Sequence, residues 1–169
     1  ENHWSPFSHP CLQFRLQIPI YIERQLVKTQ SGVEYNSISG RYVDFSDTYY
    51  EIEQFRTQSK DSKQGSGEDL NNERNNIALF IQEENIRLCK KHYEQLIGIG
   101  VSKEQARSVL PLSLETTMVW TGSLYSFIRL YKQRTKSDAQ KEINMVVTMM
   151  MEKLKKTDNF KHSLKAYGL

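Results

Sequence analysis

The stretch "EYNSISGRYVDFSDTYYE", residues 34 to 51, sets Ser37, Ser39, Gly40 and Arg41 between an asparagine and a tyrosine, then runs into acids and aromatics. It is too polar for a core strand and too specific for a casual linker. Serine hydroxyls, backbone N–H groups and a guanidinium whose fork matches two oxygens of one anion suit a negatively charged ligand. The formal charge of +3 and pI near 8.8 favour anionic ligands but fall short of the dense basic stripe of a nucleic-acid binder. Small phosphorylated molecules fit better, and no nucleic-acid partner is expected. Taken singly, Arg41, Arg107 and Arg134 read as ordinary surface arginines. His3 and His9 have no carboxylate or cysteine at metal-site spacing, so hydrogen bonding is their expected role and no metal is expected. Cys11 and Cys89 form no CxxC pair, which points to a reduced, cytoplasmic setting.

The elements that must position these residues can be read in outline. The 169 residues fit a single domain, 1–169, and no apolar run approaches the ~20 residues a membrane span needs. The chain opens without a methionine and without a signal-peptide pattern, inside a motif-like segment, so an upstream portion is expected. Leu12, Phe14, Leu16 and Ile18 alternate with polar residues as in a strand with one buried face. Pro19 permits a helix start, and "IYIERQLVK" reads as a short helix. Residues 29 to 42 read as an ordered loop, and the polar run 56 to 76, with Gly65 and Gly67, taken alone as a solvated linker.

Helical spacing of Ile86, Cys89, Tyr93, Leu96 and Ile97 predicts a helix over 77–96, stopped by Gly98 and Gly100. Ser102 with Gln105 and Ser137 with Gln140 have capping-box spacing and predict two further helix starts. "LETTMVWTG" reads as a strand and "SLYSFIRLYKQR" as a helix. Ala139, Ile143, Val146, Val147, Met150 and Leu154 form the core stripe of a long last helix, with the methionines of that helix as adaptable core fillers. Lys153, Lys155, Lys156 and Lys161 form a solvated charge run.

Three collinear segments carry a resemblance: "NHWSPFSHP" at 2–10, "RQLVKTQSGVEYNSISGRYVDF" at 24–45, and "ARSVLPLSLETTMVWT" followed by "RTKSDAQKEI" within 106–143. Together they resemble the flavin-dependent thymidylate synthases across nearly the whole chain. The matched positions are His3, Ser5, Pro6, Phe7 and His9; Arg24 and Gln25; Asn36, Ser39, Arg41 and Tyr42; Arg107 to Pro111; and Arg134, Ala139, Gln140, Glu142 and Ile143. The resemblance implies an α+β fold, with a small sheet packed against several helices including a long C-terminal one. It implies conversion of dUMP to dTMP with methylenetetrahydrofolate as carbon donor and NADPH as reductant through FAD. It further implies a homotetramer with shared sites, and it makes residues 56–76 a ligand-adjacent segment.

By that resemblance Gln25, Lys28, Ser39, Gly40, Arg41, Arg107 and Arg134 bind dUMP, with Ser39 and Arg41 close to the base and counted as catalytic through orientation and activation. FAD binding falls to His3, Ser5, Ser31, Ser123 and Arg129. The departures are as informative. Lys28, Thr29 and Gln30 stand where the family has Arg-His-Arg, Ser37 where it has glutamate, and Ser123, Tyr125 and Arg129 where it has other polar flavin contacts. They keep two alternatives open: a dUMP-binding relative with an altered outcome, such as dUMP hydroxymethylation, and a non-catalytic nucleotide-binding protein that has lost flavin.

Overall fold

The computed structural model describes residues 3–40, 48–60, 65–136 and 138–169. Arg41, a predicted catalytic residue, lies outside them, as does the predicted cap Ser137. The chain folds as two compact units, one made of Glu1–Leu16, Gln25–Asn36 and Val119–Leu169, the other of Gln17–Arg24 and Ser37–Met118.

A 3-10 turn at Ser5–Ser8 leads into strand β1 (Cys11–Pro19), whose alternation buries Leu12. The three-stranded sheet has the order β1-β5-β2, with β2 at Val33–Ser37 and β5 at Glu115–Ser123. The β-branched and aromatic run of β5 alternates buried and half-buried side chains along its whole length. Residues 33–37 are thus a strand rather than a loop. Their polar side chains can all stay exposed because only the backbone has to pair.

Helix α4 (Leu124–Arg134) follows β5 directly, capped by Ser123, whose hydroxyl accepts from the Ser126 N–H at 3.2 Å. Helix α5 (Lys141–Lys155) packs on α4 and buries Ile143, Val147, Met150, Met151 and Leu154. Trp120 is fully buried, with Phe127 edge-on at 5.6 Å, and Phe127 in turn meets Phe14 at 5.0 Å. Met145 and Met149 are exposed, so only half of the methionine run fills the core. A short last helix, Lys161–Ala166, seats Leu164.

Helix α1 begins at Ile20 directly after Pro19 and runs to Leu26, with Ile22 buried. Within the polar run 56–76, β3 (Arg56–Gln58) pairs antiparallel with β4 (Ser66–Asp69), and helix α2 begins at Asn72. Backbone pairing needs no apolar side chains, so alternation gives no signal there. Helix α2 (Asn72–Gly98) starts five residues ahead of its apolar periodicity because Asn71 caps it, its Oδ1 accepting from the Arg74 N–H at 3.0 Å. Buried Asn75 ties the helix to the preceding segment, donating to the Glu53 carbonyl at 3.0 Å and accepting from the Phe55 N–H at 2.8 Å.

A short helix, Lys103–Ala106, continues into a 3-10 turn, Arg107–Val109. Ser102 stands at its N-cap without a side-chain cap bond. Likewise Gln140 is the N-cap of α5 without one, so neither helix end shows a formed capping box.

Candidate functional site

Each unit carries a cleft. That of the first unit, about 770 Å³, is built from the start of β1, the turn before β2, and the β5–α4 junction. Ser31, Ser123 and Arg129, remote from one another in sequence and all expected to meet flavin, line it together. The turn is tight: the Val33 N–H reaches the Gln30 carbonyl at 3.5 Å and Gly32 has φ +72°, as the third position of a type II turn requires. A Cβ on Gly32 would fall on Ser126 Oγ, and one on Gly122 would sit 2.5 Å from Val33 Cγ1 and 2.8 Å from the Gly32 carbonyl. The cleft floor is therefore backbone brought into close approach, with only hydrogen atoms at two positions. Ser123 and Ser126 hydroxyls lie 2.9 Å apart, so Ser123 both caps α4 and faces the cleft.

Two aromatic residues complete the wall. Trp4 packs against Tyr125 with ring centroids 5.6 Å apart and planes 30° apart, and the Arg129 guanidinium lies 6.0 Å from the Tyr125 ring centre. Trp4 lies between His3 and Ser5, the two flavin contacts expected from the N-terminal motif; both of those are exposed, and neither lines this cleft. Motif matching points to His3 and Ser5 and passes over Trp4, whose ring partner is 121 positions away and leaves no local signature.

Arg134 ends α4 with its Nε buried and, among the described residues, without a hydrogen-bond partner. Gln25 is half-buried on α1, and Lys28 is exposed in the turn that follows.

The cleft of the second unit, about 540 Å³, lies between α1 and the 107–116 segment. It holds two guanidinium groups, Arg24 and Arg107, and two carboxylates, Glu23 and Glu104, with Ser108 and Thr116 as hydroxyl donors. Arg107 Nε donates to the Glu104 carbonyl at 3.3 Å, which fixes its stem and leaves its terminal nitrogens for other partners. Ser37, standing where the family has glutamate, donates its hydroxyl proton to Glu23 Oε1. The Glu23 carboxylate, on α1, is thereby held at the position of Ser37. Next along the chain, the Ile38 N–H bonds the Thr117 carbonyl at 3.0 Å, followed by half-buried Ser39 and buried Gly40.

The small sheets and six α-helices among the described residues make an α+β fold, and solved structures share it. The UMP/dUMP methylase PolB of Streptomyces cacaoi, bound with 5-Br UMP, superposes with a TM-score of 0.83 over 91% of this chain and 72% of that one, at 23% identity. Its complex with 5-Br dUMP gives 0.80 at 24% identity.

Residues 1–158 match the family model described as thymidylate synthase complementing protein, Thy1, and the chain belongs to that family. It is 38% identical over 146 residues to a flavin-dependent thymidylate synthase of Kosmotoga olearia, covering 84% of this chain and 61% of that protein. The same enzyme name belongs to a Thermus thermophilus relative that is 34% identical over 155 residues, covering 91% of this chain and 56% of the relative. The chain thus spans little more than half the length of these curated relatives.

Proposed function

We propose that the protein is a flavin-dependent thymidylate synthase, converting dUMP to dTMP with methylenetetrahydrofolate as carbon donor, NADPH as reductant and FAD as the redox group. The observation that carries this reading is the meeting of Ser31, Ser123 and Arg129 in one 770 Å³ cleft of the first unit. The cleft falls within the size range of cofactor sites, ~300–1,000 Å³. Its hydroxyls, its guanidinium and its glycine-lined floor, which lets a ligand approach the backbone, fit FAD. Ser31, Ser123 and Arg129 would hold it, and the family resemblance adds His3 and Ser5 as further flavin contacts outside the lining of this cleft. Bound FAD supplies the hydride and electron chemistry.

The protein's own residues bind and orient the nucleotide. Arg107 and Arg134 neutralise and grip the phosphate with Lys28, Gln25 and the Ser39-Gly40 backbone, and Ser39 with Arg41 polarises the pyrimidine. The two carboxylates beside Arg107 keep the second cleft from being a purely anionic-ligand site and suit a base with N–H donors.

Oligomerisation fits the same reading. Ile77, Phe80, Ile81 and Leu88 form an exposed stripe at three-, four- and seven-residue steps along α2, a surface suited to a homotetramer. Among the described residues no helix is long and apolar enough to cross a membrane. Cys11 and Cys89 are free thiols, in keeping with a cytoplasmic protein.

Tritium release from 5-tritiated dUMP tests the reaction, with NADPH, FAD and methylenetetrahydrofolate present and the product identified by mass. UMP is run in parallel, since the structural neighbour is named a UMP/dUMP methylase. Release with dTMP formed is the expected result. Thr29 and Ser37, standing where the family has histidine and glutamate, favour a second reading. On that reading the product is a 5-hydroxymethylated nucleotide. No release, with dUMP still bound and the protein colourless, would leave a non-catalytic nucleotide-binding protein.

A further inference from the structure

We propose that Trp4 and Tyr125 form a stacking wall that receives the planar heteroaromatic ring of the dinucleotide in the first unit's cleft, a role that rests on the FAD reading of that cleft. Both side chains line the cleft, and their rings lean on each other with planes 30° apart and centroids 5.6 Å apart, so they form one packed aromatic pair on its wall. Trp4 is 54% exposed, and much of its indole therefore contributes nothing to packing within the unit. An aromatic kept for the core behaves differently: Trp120, on β5 of the same unit, is fully buried.

The wall is braced from behind. Tyr125 meets Tyr167 at 6.2 Å, Phe7 meets Tyr167 edge-on at 4.9 Å, and the Lys132 ammonium lies 5.2 Å from the Tyr167 ring centre. Burial pushes the Tyr167 phenol above its ordinary value, and Tyr125 adds to the shift. A braced pair of rings costs a ligand little ordering entropy, and stacking on such rings accepts any flat heterocycle. Arg129, 6.0 Å from the Tyr125 ring and lining the same cleft, adds a cation where a ring's attached pyrophosphate can reach it. The aromatic wall thus supplies, by ring contact, affinity that hydrogen bonds to polar side chains would otherwise provide.

FAD offers two flat rings, the isoalloxazine and the adenine, and the test separates them. Parent protein, Trp4→Leu, Tyr125→Leu and Tyr125→Phe are each titrated with FAD, FMN and ADP, and the lifetime of bound flavin emission is recorded. The Leu variants should bind FAD about tenfold or more weakly, while Tyr125→Phe, which keeps a ring, should stay within about threefold of the parent. If the isoalloxazine stacks, FMN affinity falls in step and the flavin lifetime lengthens in the Leu variants, because indole and phenol rings in contact quench flavin emission. If the adenine stacks, ADP affinity falls instead and the lifetime holds. A parent that binds FAD, with Leu variants unchanged in affinity and lifetime, overturns the stacking wall and leaves the cofactor reading standing. A parent that binds none of the three overturns both. Exposed Trp4 can be replaced without disturbing the core, so a folding failure of Tyr125→Leu leaves the Trp4→Leu result to decide.

Discussion

At the residue scale, the most exposed test of the nucleotide assignment is Arg134. Its Nε is buried without a partner among the described residues, an arrangement that is unfavourable unless a ligand or a further chain supplies an acceptor. Arg134→Ala should weaken dUMP binding more than tenfold, in line with losing a charge-assisted contact of ~1.5–3 kcal/mol, and calorimetric titration reads it directly. Unchanged affinity would move the phosphate site elsewhere. Ser39→Ala should lower turnover and leave the unfolding midpoint alone. Gly32 gives a third test. Its φ of +72° and the Ser126 hydroxyl where a Cβ would stand mean that Gly32→Ala should destabilise by about 1–2 kcal/mol, read in urea unfolding. An unchanged midpoint would show that the turn relaxes freely. These residues differed in how they could be found. Ser31, Ser123 and Arg129 were visible only through motif resemblance, since isolated serines and an arginine carry no spacing signal. Trp4 and Tyr125 were not visible as a pair, because a ring contact across 121 positions is a product of tertiary folding.

At the element scale, α2 is the clearest case of surface made for something else. Its 27 residues extend about 40 Å, and Ile77, Phe80, Ile81 and Leu88 stay exposed along it. Phe80→Lys with Ile81→Lys should drop the mass seen by sedimentation from tetramer to a smaller species while the helix content holds. A parent already monomeric would refute the tetramer. The helix also shows where sequence reading stops. Its periodic half was legible from Ile86, Cys89 and Tyr93, but its first turn depends on Asn71 and Asn75, polar residues that work through single hydrogen bonds. The β3–β4 hairpin was hidden for the same reason. By contrast β1 and α5 were legible, because Leu12 and Ile18, and Ile143, Val147, Met150 and Leu154, do obey the period of their element. Met145 and Met149 broke the methionine expectation, because residues four apart share one helix face and theirs is exposed.

At the scale of the whole molecule, the chain passes between its two units after Leu16, Arg24, Asn36 and Met118, so neither unit is a contiguous stretch of sequence. We propose that both unfold in one cooperative transition, as a single domain would; scanning calorimetry should give one peak, and two resolved peaks would separate them. One atom suggests how ligand occupancy is felt by the backbone. Ser123 Oγ accepts the Ser126 amide at the head of α4 while its side chain faces the first unit's cleft. A ligand that takes the Ser123 hydroxyl proton orders that oxygen without removing it from the amide, so filling the cleft and fraying of the helix become linked equilibria. The exchange rate of a single amide hydrogen, that of Ser126, would then report whether the cleft is filled.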